Sequence, residues 1–248
     1  KDKPFFMYLA NSMPHIPLFA SPEFKGKSAG GLYGDTIEEI DAGVGVLMQA
    51  LRDNGVDRKT LVVFTSDNGP WLVMGPNGGS ALPLRNGKGS TFEGGQRVPC
   101  VMRWPDVIPA GTTCGELACT MDLLPTVCAM LGREVPAARP VDGRNILELM
   151  KGVAGAKSPH EFYLYYSSQG KLSAIRQGEW KLHAEVPCFG YANTGESKEY
   201  IEKLKQKPYV PELFNLKDDI GEKTDLAAEK KEVVERLQSL LKEKEIKN

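Results

Sequence analysis

The run Leu61-Val62-Val63-Phe64-Thr65-Ser66-Asp67-Asn68-Gly69-Pro70 constrains the fold more than any other stretch of the chain. Four consecutive apolar residues predict a short strand buried on both faces. Thr65 and Ser66 end the apolar run, and Gly69-Pro70 breaks the chain directly after Asp67 and Asn68. Open α/β sheets keep their ligand sites at the carboxyl ends of such strands. Asp67 and Asn68 offer hard oxygen donors, which suit Ca²⁺ or Mg²⁺ better than zinc. The competing reading of the same residues is a plain Asp-Asn-Gly turn at a strand exit.

The segments on either side fit an α/β unit. Phe5–Leu9 predicts a first buried strand, followed by Pro14-His15-Ile16-Pro17, whose prolines fix a non-helical backbone around an imidazole. Asp35 reads as an N-cap, with Glu38 completing a capping-box pattern. Ile37, Ile40, Val44, Leu47, Met48 and Leu51 then recur at helical spacing until Asn54-Gly55. A right-handed crossover between parallel strands is the expected topology. After Pro70 a long Gly/Pro-rich loop runs through Gly87-Lys88-Gly89 to Gly94-Gly95, and loops of that length inside a domain usually carry function.

Val98–Trp104 predicts a further strand, with short helices at Met121–Leu131 and Arg144–Met150. Near Gly152-Val153-Ala154-Gly155 the composition changes. Glu161–Tyr166, Leu172–Arg176, Trp180–Ala184 and Glu212–Leu216 read as short strands of an antiparallel meander, closed by an amphipathic helix over Ala228–Ile246. The expected fold is therefore α/β: a mostly parallel or mixed central sheet flanked by helices, with a small C-terminal antiparallel sheet packed against a helix. Residues 1–151 form the first unit and 152–248 the second.

A chain of 248 residues can bury a substantial core. Its 31 basic and 32 acidic residues nearly cancel, which provides no global field for nucleic acid or an anionic membrane. No apolar stretch is long enough to cross a bilayer. The five cysteines (Cys100, Cys114, Cys119, Cys128, Cys188) include no Cys-x-x-Cys pair, which speaks against zinc and predicts buried free thiols. Spacing leaves a Cys114–Cys119 disulfide open.

Three loop sites stand out: His15, Asp67-Asn68 and Lys88. A lysine between two glycines can point into a cleft where backbone approaches a ligand closely. A cation beside a metal and a histidine suits a tetrahedral oxyanion, sulfate or phosphate. Taken in order, Pro4-Phe5-Phe6, Pro14-His15-Ile16-Pro17, Tyr33-Gly34-Asp35, Glu39-Ile40-Asp41, Phe64-Thr65-Ser66-Asp67-Asn68-Gly69 and Gly87-Lys88-Gly89-Ser90-Thr91-Phe92-Glu93-Gly94-Gly95-Gln96-Arg97 resemble the arylsulfatase A-type sulfatases of the alkaline-phosphatase superfamily. Met121-Asp122-Leu123-Leu124-Pro125-Thr126, Asp142-Gly143 and Glu212-Leu213-Phe214-Asn215-Leu216 with Gly221-Glu222 continue the resemblance over nearly the whole chain.

The resemblance implies a sulfuric ester hydrolase. It makes Asp67 and Asn68 ligands of Ca²⁺ (Mg²⁺ as the alternative), and Lys88 the residue holding sulfate and the bridging oxygen. His15 becomes a catalytic residue near the leaving group and a candidate general acid, and Glu93–Arg97 reads as structural. The substrate it implies is a sulfate ester, of a sulfated carbohydrate or an aryl alcohol, in a periplasmic, secreted or lysosomal protein. Such enzymes attack with a formylglycine made in a Cys/Ser-x-Pro-x-Arg motif. No residue here begins that motif, and Ser12-Met13-Pro14-His15-Ile16 lacks its arginine. The family's N-terminal aspartate pair is also absent. The opening Lys-Asp-Lys-Pro-Phe-Phe reads as a start inside a longer protein, so the chain is expected to hold half of an active site and to be inactive alone. Two rivals stand beside this reading. A phosphoesterase of the same superfamily would prefer a histidine at Asn68, since imidazole suits its zinc. A non-catalytic binder of sulfated glycans would need none of these groups to react.

Overall fold

The computed structural model describes residues 3–167, 170–187, 196, 198–205 and 208–246. Helix α1 covers Gly31–Asp53 and stops where expected, at Asn54, with Gly55 in the left-handed region at φ 65°. Its start differs from the expectation. The helix begins four residues before Asp35, and that carboxylate caps nothing in α1. It accepts the N–H groups of Gly26, Lys27 and Ser28 at 2.7–3.0 Å, and those bonds hold its pKa below the usual carboxylate range. Asp35 thus ties down the preceding loop.

Strand β1 (Val62–Thr65) leads to the Asp67-Asn68 exit, and α2 is the short turn Glu93–Gln96. Strand β2 (Cys100–Arg103) pairs with β1 antiparallel, Val62 opposite Arg103 and Thr65 opposite Cys100. The chain continues through α3 (Leu123–Met130) and α4 (Leu147–Met150). Both lie inside the predicted spans.

Two strand expectations need correction. Residues 5–9 run extended but join no ladder among the described residues, and their side chains face solvent, Phe6 at 89% exposure. β1 is only half covered, with Phe64 43% exposed. An apolar run records a demand for burial; becoming an interior strand also needs a hydrogen-bonding neighbour on each side. The parallel crossover is accordingly not completed among the described residues.

The C-terminal part follows the predicted meander. β3 (Tyr163–Tyr166), β4 (Leu172–Gln177), β5 (Trp180–His183) and, after the short helix α5 (Lys198–Leu204), β6 (Glu212–Asn215) pair in that order, all antiparallel. Helix α6 (Lys231–Ile246) lies across one face. Leu237 and Leu241 pack there with Leu172, Ile175, Leu182 and Leu213, while the charged side of the helix faces water.

The opposite face of β5 is also buried, by polar groups. Lys181 and His183 alternate with Leu182 and are fully enclosed. They meet Glu93 and Glu222, which links the glycine-rich loop to the C-terminal sheet. No helix among the described residues is long and apolar enough to cross a membrane. Cys100, Cys114, Cys119 and Cys128 are free thiols, so the Cys114–Cys119 bond is not made. None of the four is fully buried, contrary to expectation, and Cys188 lies outside the described residues.

Candidate active site

Three loops form the site, and backbone contacts join two of them. After β1 the chain turns at Gly69, whose N–H donates to the Gly95 carbonyl at 3.1 Å. The Lys88 N–H donates to the Pro70 carbonyl at 2.8 Å. The approach is so close that a Cβ on Gly69 would collide with the Gly94 carbonyl, and one on Gly87 with that of Pro70. These glycines are required by contact distance, whatever their φ. Asn86, at φ 61°, accepts the Gly87 N–H on its own side-chain oxygen, and Ser90 Oγ donates to the Gly87 carbonyl at 2.8 Å. The turn that presents Lys88 is thereby fixed from both sides.

Lys88 Nζ lies 3.2 Å from His15 Nε2, although 73 residues separate the two. The imidazole is oriented by its neighbour: His15 Nδ1–H donates to the Ile16 carbonyl at 2.8 Å, which leaves Nε2 facing the lysine. Trp71 forms one wall. Its ring centroid is 5.0 Å from Lys88 Nζ and 5.5 Å from that of His15. Trp71 was missed from sequence, where a tryptophan directly after Gly69-Pro70 was the available signal.

Asp67 is exposed, and its carboxylate has no hydrogen-bond partner among the described residues. Asn68 is half-buried and donates from Nδ2 to the Gly69 carbonyl at 2.9 Å, leaving its side-chain oxygen unspent. Two side chains with hard oxygen donors therefore remain open at the strand exit, and they suit part of a Ca²⁺ shell. Nothing in the chain fits a formylglycine.

Beneath the Lys88 loop lies a buried ionic network. Lys181 Nζ bridges Glu93 at 2.8 Å and Glu222 at 3.0 Å. Glu222 also meets His183 Nε2 at 2.9 Å and accepts the Glu93 N–H at 2.6 Å. Arg97 closes on the other Glu93 oxygen at 2.7 Å. Burial alone would push the Glu93 carboxyl up; Lys181, Arg97 and Arg176 outweigh it and hold the pKa at about 2. Glu222 is lowered for the same reason, burial being overcome by Lys181 and His183. Burial drives the His183 pKa down, with Glu222 opposing it in part. Thr91 and Phe92 pack on His183, and Arg85 stacks 4.2 Å above the Phe92 ring. Through Glu93 the network ties the loop that carries Lys88 to the C-terminal sheet.

The sulfatase family model matches residues 1–133, and the model for the C-terminal region of aryl-sulfatase matches residues 158–247. The chain belongs to the sulfatase family. It is 38% identical to mouse (Mus musculus) steryl-sulfatase over 92% of its own length and 39% of that protein. Against bovine (Bos taurus) arylsulfatase A it is 36% identical, over 99% of this chain and 49% of the relative. A structure solved in work on the metabolism of multiple glycosaminoglycans by Bacteroides thetaiotaomicron superposes with a TM-score of 0.80 at 27% identity. That superposition covers 98% of this chain and 50% of the other. The sulfatase chain described here thus spans about half the length of the proteins it matches.

Proposed function

We propose that this chain supplies the sulfate-holding and leaving-group side of a sulfate-ester hydrolase site. The observation that carries the reading is the contact of Lys88 with His15 beside a loop that leaves two oxygen donors open at Asp67 and Asn68. Bound Ca²⁺ would supply fixed positive charge for sulfate oxygens. Asp67 and Asn68 would hold it. The Lys88 ammonium donates to a sulfate oxygen and to the bridging ester oxygen, where charge grows as the S–O bond breaks. His15 in its imidazolium form, protonated at Nε2 as well as Nδ1, hands the Nε2 proton to the departing alcohol and is left as the neutral Nδ1–H imidazole whose Nε2 faces Lys88 Nζ. Trp71 flanks both groups and gives an apolar wall to a sugar or aryl ring. Sulfated carbohydrate is the proposed substrate class, in keeping with the glycosaminoglycan context of the structural relative. We assign the site to a longer polypeptide carrying this sequence together with a formylglycine motif, in a periplasmic, secreted or lysosomal setting.

The test is kcat/KM in such a polypeptide across leaving groups of differing pKa. Lys88→Ala should slow every sulfate ester by roughly 10²–10³-fold, the range for losing one preorganised donor. His15→Ala should slow alkyl and sugar sulfates about 10²-fold more than nitrophenyl sulfate, whose alcohol needs no proton. Equal losses for His15→Ala on all substrates would make His15 a positioning group and send the acid elsewhere.

A further inference from the structure

Away from the sulfate site, three ligand-type side chains converge where the first short helices meet the C-terminal sheet. Cys119 precedes the turn Thr120–Asp122 that enters α3, and His160 stands just before β3. Cys119 Sγ is 3.5 Å from His160 Nε2 and 3.2 Å from an Asp122 oxygen, and Nε2 lies 2.8 and 2.9 Å from the two carboxylate oxygens. Asp122 is fully buried and the His160 side chain nearly so, at 7% exposure.

A carboxylate in hydrogen-bond contact with a histidine is ordinary fold chemistry; the thiol closing the triangle is not required by it. Asp122 already accepts the Cys119 and Arg144 N–H groups at 2.8 Å each, one on either oxygen. Those bonds fix the carboxylate as the outer contacts of a metal ligand do, and leave one face of each oxygen toward Cys119 and His160. We propose that Cys119, Asp122 and His160 form a zinc-binding site, distinct from the Asp67-Asn68 oxygens. Thiolate, imidazole and carboxylate together select zinc over the hard cations.

The dimensions can be checked. Zinc bonds of about 2.0–2.3 Å at tetrahedral angles set ligand atoms about 3.4–3.6 Å apart. The sulfur–nitrogen edge of 3.5 Å already fits. The His160–Asp122 edge at 2.8 Å must open by roughly half an ångström, its hydrogen bond being replaced by two metal bonds. Binding moves the His160 proton to Nδ1, releases the Cys119 thiol proton to solvent, and leaves a fourth position for water. The ion would clamp the entrance of α3 to the start of β3, where Ser158 Oγ already donates to the Leu117 carbonyl at 2.6 Å. Cysteine spacing could not reveal this, because His160 follows Asp122 by 38 residues.

The experiment is titration of the chelator-stripped, dialysed chain with zinc by calorimetry, and with Co²⁺ by absorption. One equivalent of zinc should bind, Co²⁺ should show a thiolate-to-metal charge-transfer band, and zinc should raise Tm. Cys119→Ser should abolish the band and the Tm rise and weaken zinc binding by roughly 10²-fold or more, beyond the effect of losing an outer contact. His160→Gln should weaken zinc comparably, while Cys114→Ser keeps all three signals. If His160→Gln does not fold, the milder Cys119→Ser decides alone. Folded wild-type chain that binds no zinc, or Cys119→Ser that binds it equally well, overturns the site and leaves a hydrogen-bonded helix cap.

Discussion

Replacing Lys181 by methionine tests the claim that the buried network holds the Lys88 loop in place. Lys181 is fully enclosed between Glu93 and Glu222, so its removal strands two carboxylates away from water. Breaking a buried pair by deleting one partner costs about 3–5 kcal/mol. The titration of Glu93 gives a second route to the magnitude. Its pKa falls from 4.5 unfolded to about 2 folded, which corresponds to about 3 kcal/mol. Because the folded value is the lower one, that stability is complete above pH 4.5 and is lost as pH falls through about 2. In Lys181→Met, Glu93 keeps its burial with only Arg97 and Arg176 opposing it, so its carboxyl titrates at higher pH. Urea unfolding followed by circular dichroism at a series of pH values should show two changes. Stability at pH 7 falls by roughly 3–5 kcal/mol, and the acid limb moves upward from its wild-type window. Adding Glu93→Gln to Lys181→Met should recover part of the loss, since a buried charge disappears with its partner. A loss below about 1 kcal/mol, the size of an exposed pair, or an unmoved acid limb would refute the reasoning.

Three further outcomes follow from the site and its support. In the longer polypeptide, Asp67→Ala should weaken Ca²⁺ binding measured by calorimetry, since a methyl group cannot replace an oxygen ligand; unchanged binding would return Asp67-Asn68 to a turn. Gly69→Ala drives a methyl into the Gly94 carbonyl and should cost about 1–3 kcal/mol while weakening Ca²⁺ binding, read by denaturation and calorimetry. His183, whose pKa burial lowers, contributes stability that is present above pH 6.5 and lost as pH falls through its lower folded value. His183→Gln should flatten the unfolding free energy against pH just below 6.5, and an unchanged slope would mean the imidazole is not the group that titrates there.

What could be read from sequence divides by how far each residue's partners lie along the chain. The meander β3–β6 and the end of α1 were legible because alternation, helical spacing and Asn54-Gly55 act locally. Asp35 looked just as local, yet three N–H groups of the preceding loop claimed its carboxylate, and helix propensity had no vote. The glycine and proline punctuation marked His15, Asp67-Asn68 and Lys88 as loop residues, but no pattern could show a contact spanning 73 positions. Residues 5–9 carry the opposite lesson, since their apolarity called for burial without naming a cover. The ionic network left one trace in the sequence. Lys181 and His183 occupy the polar positions of a strand whose alternate residue, Leu182, is core, a pattern that by itself suits an exposed face. With that face covered, an unpaired ammonium there would cost several kcal/mol, so its lysine demands carboxylates. Glu93, in the loop that carries Lys88, and Glu222 were two among several acids in segments already singled out. Their pairing ties the C-terminal sheet to the candidate catalytic loop, and the geometry at Lys88 therefore depends on residues that never touch the substrate.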